Sequence, residues 1–249
     1  MVRMNKNVFS QLAAEFEKME QTINYQRKVI ATMQKPPVCP CYKVPADGRI
    51  CVVPDLPKMK LEDCSWKEIA MYAESGMADK VFALGDTKKV PLTNGTTITV
   101  RIIGFYHDVD SDGDTLPITF ETVETLNDDY VRKDEWTNKG GWEASKLRRV
   151  LNEEISTLLP YTLKAVIRSC TKQTGLGGNS KKIGLTSDPL FILSEQEIFG
   201  RKIYSIGGEG KWYDWYRQEN TEYGKCKQNG ERDWRWERAP YSGNATHFC

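Results

Sequence analysis

The 249-residue sequence lacks several features that would point directly to a class of function. It contains two histidines, His107 and His247, so catalysis by a histidine base has little to work with. Lys and Arg number 35 against 34 Asp and Glu, which argues against nucleic acid or an anionic membrane surface as a partner, because both attract clustered positive charge. No apolar run approaches the roughly 20 residues that span a bilayer, so we predict no membrane insertion.

The cysteine pattern indicates free thiols. Seven cysteines are an odd number, and no apolar signal-type stretch precedes them, so we predict a protein made in a reducing cytoplasm. Cys39, Cys41, Cys51 and Cys64 lie within residues 37–64, which hold five prolines and form a predicted connector. Their spacing differs from that of C-x-x-C zinc knuckles. We therefore favour reduced cysteines over a zinc site, and we predict no cofactor.

The first 36 residues show a heptad pattern. Seven apolar residues recur at alternating steps of three and four, with Gln26 as a polar intrusion. This spacing keeps an apolar stripe facing a partner helix. We therefore predict a coiled-coil helix over residues 1–36 that makes the chain a homo-oligomer, with a trimer as one candidate. The alternative is an amphipathic helix that packs on its own domain. The predicted oligomerisation residues are Phe9, Leu12, Phe16, Met19, Ile23, Ile30 and Met33.

The remainder of the chain mixes helix and strand signals. Ser65 and Glu68 form a capping box that starts a helix, and Asn94–Gly95 suits the tight turn of a hairpin. Residues 140–169 resemble two helices broken at Pro160, and "DPLFILSEQEIFG" resembles a short buried strand followed by a helical turn. Because helices and strands do not alternate regularly, the predicted fold class is α+β.

The acidic stretch "DVDSDGDT" imitates a calcium loop. Asp108, Asp110 and Asp112 match the first half of such a loop, in which alternate side chains point at one ion. The twelfth position is Thr119, where a bidentate Glu is required, and a strand-like run follows instead of a helix. We therefore favour a solvated acidic turn that closes a hairpin over a calcium site.

Other candidate catalytic groups are isolated. Cys170 has no cue beyond nearby Lys and Arg that would lower its pKa, so we expect a buried and unreactive thiol. Glu153 and Glu154 are expected on the solvated face of a helix. The stretch "GLGGNSKK" lacks the G-K-[ST] ending of a phosphate-binding loop and is predicted to be a mobile loop.

The C-terminal third is rich in aromatic residues. For the tryptophans we favour a small aromatic core beneath a long loop. For Tyr241–His247 a binding segment and a plain loop both remain open, since Tyr, Ser and Asn together suit a binding surface. The aromatic residues are Trp212, Tyr213, Trp215, Tyr216, Tyr223, Trp234, Trp236 and Tyr241.

From Ser65 onward, the segments "SWKEIA", "GGWEASKLRRVLN", "KIGLTSDPLFILSEQEIFG" and "WERAPYSGNATHFC" together resemble a bacterial and phage family of uncharacterised domains with a C-type-lectin-like fold. Its members look like target proteins of diversity-generating retroelements, in which a fixed scaffold presents a C-terminal variable segment. The resemblance implies a C-type-lectin-like domain over residues 65–249. The ligand-binding residues that it implies are Trp236, Arg238, Tyr241, Ser242, Asn244, Thr246 and His247.

The sequence departs from this family in two places. Arg235 and Ala239 replace residues of the W-W-x-R-S-P motif that usually precedes the variable stretch. Phe248 and Cys249 look like the start of a strand, and the hairpin that follows it in the family is missing from this sequence.

The resemblance implies a non-enzymatic ligand-displaying protein, a tail or surface component of a phage or prophage virion that is assembled in the bacterial cytoplasm. The coiled coil would make it multivalent, and its partners would be a cell-surface ligand and other virion proteins. One alternative is a structural decoration or assembly protein of the virion, docked through its N-terminal helix. A further alternative is an enzyme of the formylglycine-generating kind, for which Cys226 and Cys249 are the C-terminal candidates for a copper site.

Overall fold

The computed structural model of the chain describes residues 58–125, 137–218, 226–228, 231–233 and 236–247. The predicted coiled coil and most of the proline-rich connector lie outside these residues, so the heptad interpretation stays a prediction. Within the described ranges, no helix is both long enough and apolar enough to cross a membrane. The combination of helices with antiparallel sheets confirms the α+β class.

The described helices are short and the strands form three separate antiparallel sheets, β1-β2-β3, β4-β5 and β6-β7. The helical elements are a 3-10 turn (Leu61–Asp63), α1 (Trp66–Glu74), α2 (Ala78–Val81), α3 (Lys146–Arg149), a π turn (Val150–Ile155), α4 (Ser156–Leu158), α5 (Tyr161–Lys164), α6 (Glu195–Phe199) and α7 (Asp214–Arg217). The strands are β1 (Thr87–Pro91), β2 (Thr97–Val109), β3 (Thr115–Thr122), β4 (Cys170–Gly175), β5 (Ile183–Asp188), β6 (Cys226–Gln228) and β7 (Glu231–Asp233).

Local sequence signals set several boundaries. The capping box at α1 is confirmed, because the Ser65 hydroxyl accepts the Glu68 N–H and the Glu68 carboxylate accepts the Ser65 N–H. Pro160 separates α4 from α5 as predicted, since proline cannot donate a backbone hydrogen bond within a helix. The hairpin turn between β1 and β2 is also confirmed, with Gly95 at a φ of +89° and the Asn94 Oδ1 accepting from the backbone of Thr96.

The long strand β2 is irregular where it meets β3. Its register shifts between Ile102 and Gly104 and again between Phe105 and Asp108. Such irregularities re-aim the side chains that follow them. Asp108, directly after the second shift, is buried.

The prediction of a buried strand at the start of "DPLFILSEQEIFG" is wrong, because residues 189–193 contain no strand. Side chains hold this backbone instead. Asn152 bonds both the N–H and the carbonyl of Leu190, and the guanidinium of Arg238 donates to the carbonyl of Ile192. With these groups satisfied, the segment needs no neighbouring strand. The helical turn predicted after it is α6.

Three clusters of buried apolar residues support the domain. The largest joins α1 to the three-stranded sheet and includes Trp66, Ile69 and Ile102, while the third surrounds the buried Trp142. The second cluster confirms the predicted aromatic core for part of the C-terminal third. It consists of Ile103, Ile198, Tyr213 and Tyr216, with Trp212 and Trp215 packed against it. Tyr223 and Trp234 lie outside the described residues.

Candidate ligand-binding surface

The Tyr241–His247 segment is fixed to the domain by Asn138, whose side chain is fully buried. The Asn138 Nδ2 lies 2.8 Å from the carbonyl oxygen of Asn244 and 3.3 Å from that of Tyr241, and it also donates to the carbonyl of His247. The backbone N–H of Asn138 donates to Ala245 at 2.7 Å. A single residue therefore holds carbonyl groups along the whole segment.

A second anchor joins the segment to the loop that follows α6. The carbonyl oxygen of Tyr204 accepts from both the backbone N–H and the hydroxyl of Ser242, at 2.8 and 2.7 Å. The Tyr204 ring stacks on Tyr241 with a centroid distance of 5.2 Å. The buried carboxylate of Glu195 accepts from the three N–H groups of residues 203–205. Glu195 thus fixes the loop on which the segment rests.

The side chains of the segment face outward. Tyr241 and Ala245 are half-buried, and the other members are exposed. The Asn244 Oδ1 accepts from the backbone N–H and the hydroxyl of Thr246 at 2.8 and 2.6 Å, and this hydroxyl lies 2.8 Å from the Nδ1 of His247. The exposed residues are Ser242, Gly243, Asn244, Thr246 and His247.

Next to the segment lies a small open cleft of about 10 Å³, roughly the space that one water molecule needs. It is bordered by the glycine-rich loop between β4 and β5, by the loop after α6 and by the start of the segment. Its wall offers backbone groups, hydroxyl and amide side chains, and the rings of Pro240 and Tyr241. The lining residues are Gly175, Gly177, Asn179, Ser180, Ile206, Pro240, Tyr241 and Ser242.

The structure corrects one of the two ligand-binding residues predicted just before the segment, Arg238, and leaves the role of the other, Trp236, a prediction. Trp236 is 53% exposed, as a ligand contact requires. Arg238 is fully buried and is not presented to a ligand. Its guanidinium contacts the Glu197 carboxylate and donates to the Thr174 hydroxyl and the Glu209 carbonyl, both at 2.9 Å. The buried charge of Glu197 is the reason for this inward orientation.

Arg238 belongs to a buried ionic network. The ammonium group of Lys172 lies 2.6 Å from Asp108 Oδ1, 3.1 Å from Glu197 Oε1 and 2.6 Å from the Tyr213 hydroxyl. The Tyr213 hydroxyl in turn donates to the other oxygen of Asp108 at 2.7 Å. Two cations face two carboxylates, so the network is balanced in charge. It joins β2, β4, α6 and the backbone that leads into Tyr241–His247.

This network corrects the interpretation of the acidic stretch. The predicted turn is present, because the Asp110 Oδ1 accepts from the N–H groups of Asp112 and Asp114. The predicted solvation is wrong for Asp108 and Asp110, which are each 8% exposed. Their charges are met by protein cations, Lys172 for Asp108 and Arg168 for Asp110.

The titratable groups of the network each keep one protonation state at neutral pH. Burial by itself opposes ionisation of Glu197, but the charges of Arg238 and Lys172 outweigh it and keep the pKa of Glu197 below its ordinary value. The pKa of Asp108 is lowered in the same way, with Lys172 outweighing burial. Burial, together with the nearby Glu197 and Asp108, raises the pKa of Tyr213 well above its usual range. The carboxylates therefore stay ionised at neutral pH and the phenol keeps its proton.

The two thiols whose side chains the structure describes are buried, as predicted for Cys170. Cys64 and Cys170 are free and buried, and burial raises the pKa of Cys170 to about 12, so its thiol stays protonated. Among the described residues, no group of three or more His, Cys, Asp or Glu could hold a metal ion. Cys39, Cys41, Cys51 and Cys249 lie outside those residues, and Cys226 is described only as a backbone position in β6.

Three residues that shape this surface, Asn138, Glu195 and Tyr204, could not be identified from the sequence. Asn138 precedes Lys139 and two glycines, which indicates a turn and nothing more. The Ser194–Glu197 capping box was a readable helix start, but it does not reveal that Glu195 points to a loop 8 to 10 residues later.

A family model described as a domain of unknown function (DUF6273) matches residues 113–249, which is more than half of the chain. The matched span contains Asn138, Glu195 and the Tyr241–His247 segment. This agrees with the predicted membership in a family of uncharacterised domains, while the lectin-like fold and the retroelement relationship stay predictions. No curated protein and no solved structure matches the chain.

Proposed function

Since the chain belongs to the DUF6273 family of domains of unknown function, we propose its function from its own geometry: it is a non-enzymatic protein that displays Tyr241–His247 to a ligand on a cell surface. The observation that carries this proposal is the contrast within the segment. Its backbone is tied down by Asn138 and by the Tyr204 carbonyl, whereas most of its side chains are exposed.

A fixed backbone with exposed side chains suits recognition. Association costs less when the binding groups are already ordered, because little conformational freedom remains to be lost. The segment offers an aromatic ring at Tyr241 and hydroxyl, amide and imidazole groups at its tip, a composition typical of adaptable binding surfaces. The cleft beside Tyr241 extends this surface, and Trp236, five residues before Tyr241 in the chain, is also exposed.

The buried charges support a structural use in place of a catalytic one. Asp108 and Glu197 accept from protein donors and are almost completely removed from solvent. Arg238 lies two residues before Pro240, so its ion pair with Glu197 fixes the start of the displayed segment. We propose that the network acts as the rigid base of the display site.

The sequence resemblance supports a more specific proposal. Residues 65–249 would form a C-type-lectin-like scaffold, and the protein would be a tail or surface component of a phage or prophage virion. The heptad pattern of residues 1–36 would make it a homo-oligomer, in which several weak contacts add to a useful avidity.

Binding of the purified full chain to isolated bacterial envelopes tests this proposal. Asn244→Ala/Thr246→Ala removes the exposed hydrogen-bonding pair at the tip of the segment. We expect it to weaken envelope binding by about tenfold, equivalent to about 1.4 kcal/mol. A matched control is available, because Asn94 and Thr96 make the same pair of hydrogen bonds in the β1–β2 turn. Asn94→Ala/Thr96→Ala is expected to bind as the unmodified chain does. The proposal fails if no envelope fraction binds the full chain, or if the two double variants bind equally well.

A further inference from the structure

A patch of large apolar side chains lies exposed beside the cleft. It consists of Ile183 and Leu185 on β5 and of Ile203 and Tyr204 on the loop after α6, which are 37%, 63%, 46% and 53% exposed. Ile183 and Leu185 share a face of β5 because side chains alternate along a strand, and the intervening Gly184 has none. We call these four residues the apolar patch.

The patch and the cleft are continuous. Ile183 pairs with Gly175, which lines the cleft, and the Ile183 side chain lies near Gly208 in the loop after α6, where an added Cβ would be 3.7 Å from Ile183. On the other side Tyr204 stacks on Tyr241, which also lines the cleft. Large exposed apolar side chains grouped in this way are typical of protein-binding sites.

Basic residues border the patch at both of its segments. Lys181 and Lys182 precede Ile183, and Arg201 and Lys202 precede Ile203, so the same pattern of two cations and an isoleucine occurs twice. All four cations are exposed, and none forms an ion pair within the part of the chain that the structure describes. In a chain with balanced charge, this rim is a local concentration of positive charge.

The nearby carboxylates do not neutralise this rim at the surface. Glu195 lies buried beneath the loop and accepts from three backbone N–H groups. Glu209 is also buried, and burial raises its pKa, which disfavours its ionised form. The rim is therefore free to attract an anionic partner.

We propose that the apolar patch and its basic rim form a docking surface for a protein whose contact area is acidic around an apolar centre. The inference rests on the proposed function, because it gives the displayed site's ligand a chemical class. An apolar centre with a polar rim is the ordinary anatomy of a protein interface. A charged polysaccharide would satisfy the four cations but would leave Leu185 and Ile203 uncovered.

Three soluble polymers serve as probes for the labelled full chain: poly-Glu, a random copolymer of Glu and Tyr, and alginate, a polyuronate. Poly-Glu supplies charge alone, the copolymer supplies charge with apolar rings, and alginate supplies charge on a glycan. We expect the copolymer to bind about tenfold more tightly than either of the others at physiological salt. Raising the salt concentration should weaken the binding of all three polymers, because salt screens the exposed charges of the rim.

Two variants separate the parts of the surface. Leu185→Ser should reduce the affinity for the copolymer to the affinity for poly-Glu. It should leave the affinity for poly-Glu unchanged. Lys181→Glu/Lys182→Glu should weaken the binding of both acidic polypeptides by about tenfold. The matched controls are Tyr161→Ser, at a side chain 82% exposed, and Lys67→Glu/Lys89→Glu, at exposed lysines on α1 and β1. Both controls should bind all three polymers as the unmodified chain does.

The inference is overturned if alginate binds as tightly as the copolymer and its binding survives Leu185→Ser, which would identify a glycan site. It is also overturned if the lysine control weakens binding as much as Lys181→Glu/Lys182→Glu, which would indicate a general charge effect. Its failure is distinct from failure of the proposed function. If envelope binding depends on Asn244 and Thr246 but is unchanged in Leu185→Ser, the proposed display function stands and the docking surface is refuted.

Discussion

The side-chain amide of Asn138 lies 2.8 Å from the carbonyl oxygen of Asn244, a residue 106 positions later in the chain. This contact, repeated at the carbonyls of Tyr241 and His247, joins the stretch that precedes α3 to the last described segment of the chain. The shape of the proposed binding site therefore depends on a buried residue that has no exposed surface of its own.

Asn138→Asp tests that dependence. Aspartate has the size of asparagine, but its ionised side chain cannot donate, so it would set a negative charge against three carbonyl oxygens. We expect the free energy of unfolding to fall by about 2–3 kcal/mol, the cost of buried polar groups left unsatisfied. Urea denaturation of the full chain measures the change, and limited proteolysis should cleave sooner within residues 241–247. Asn94→Asp, in an exposed turn, should change stability by less than about 0.5 kcal/mol. Equal effects at the two positions would contradict the anchoring role of Asn138.

Glu197→Gln tests the buried network. The substitution preserves shape but removes the charge that faces both Arg238 and Lys172, so positive charge would remain buried without its partner. We expect a loss of about 3–5 kcal/mol in the free energy of unfolding, measured by urea denaturation. Glu153→Gln changes an exposed carboxylate on the π turn and should be nearly neutral. A loss below about 1 kcal/mol for Glu197→Gln would show that the network contributes little to stability.

The parts of the fold that were predictable are those specified by neighbouring residues. The capping box of Ser65 and Glu68, the turn at Asn94–Gly95 and the break at Pro160 each depend on the backbone preferences of a few adjacent positions. The structure reproduces all three.

The buried network could not be predicted in the same way. Asp108, Lys172, Glu197 and Arg238 come from distant parts of the chain. Each one looks like an ordinary surface charge in its own stretch of sequence. Asp108 illustrates the difficulty. The acidic residues around it favour a solvated turn, but in the structure Asp108 follows an irregularity in β2 and points inward. Arg238 was misassigned for the same reason, since no local pattern reveals a buried partner 41 residues away.

Stability should decrease in acid because of the same carboxylates. Burial alone would raise the pKa values of Asp108 and Glu197, but Lys172 and Arg238 hold both below their ordinary values of 3.8 and 4.5. A group with a lowered folded-state pKa contributes stability that is fully present above its unfolded pKa and is lost as the pH falls through the folded one. We expect this contribution to be constant above about pH 5.5 and to decline below about pH 4.5.

Urea midpoints between about pH 3 and pH 7 measure this decline, and Glu197→Gln isolates the part that belongs to Glu197. The gap in stability between the unmodified chain and this variant should narrow as the pH falls, because protonation removes the same charge that the substitution removes. A gap that stays constant down to about pH 3 would mean that Glu197 does not titrate with a lowered pKa.

Gly177→Ala tests how closely the glycine-rich loop fits against Asn138. Gly177 has a φ of +60°, and an added Cβ would overlap the Asn138 carbonyl oxygen and crowd its side-chain Oδ1. Gly113 is a control, because its φ of +89° is also unfavourable for alanine but open space surrounds it. Gly113→Ala should cost about 1–2 kcal/mol, from the backbone conformation alone.

For Gly177→Ala we expect that backbone cost plus about 1–3 kcal/mol from the overlap. Because Asn138 must move, the substitution should also weaken envelope binding, whereas Gly113→Ala should leave binding unchanged. If the two alanine variants lose the same stability and bind alike, the contact between the glycine-rich loop and Asn138 does not support the displayed segment.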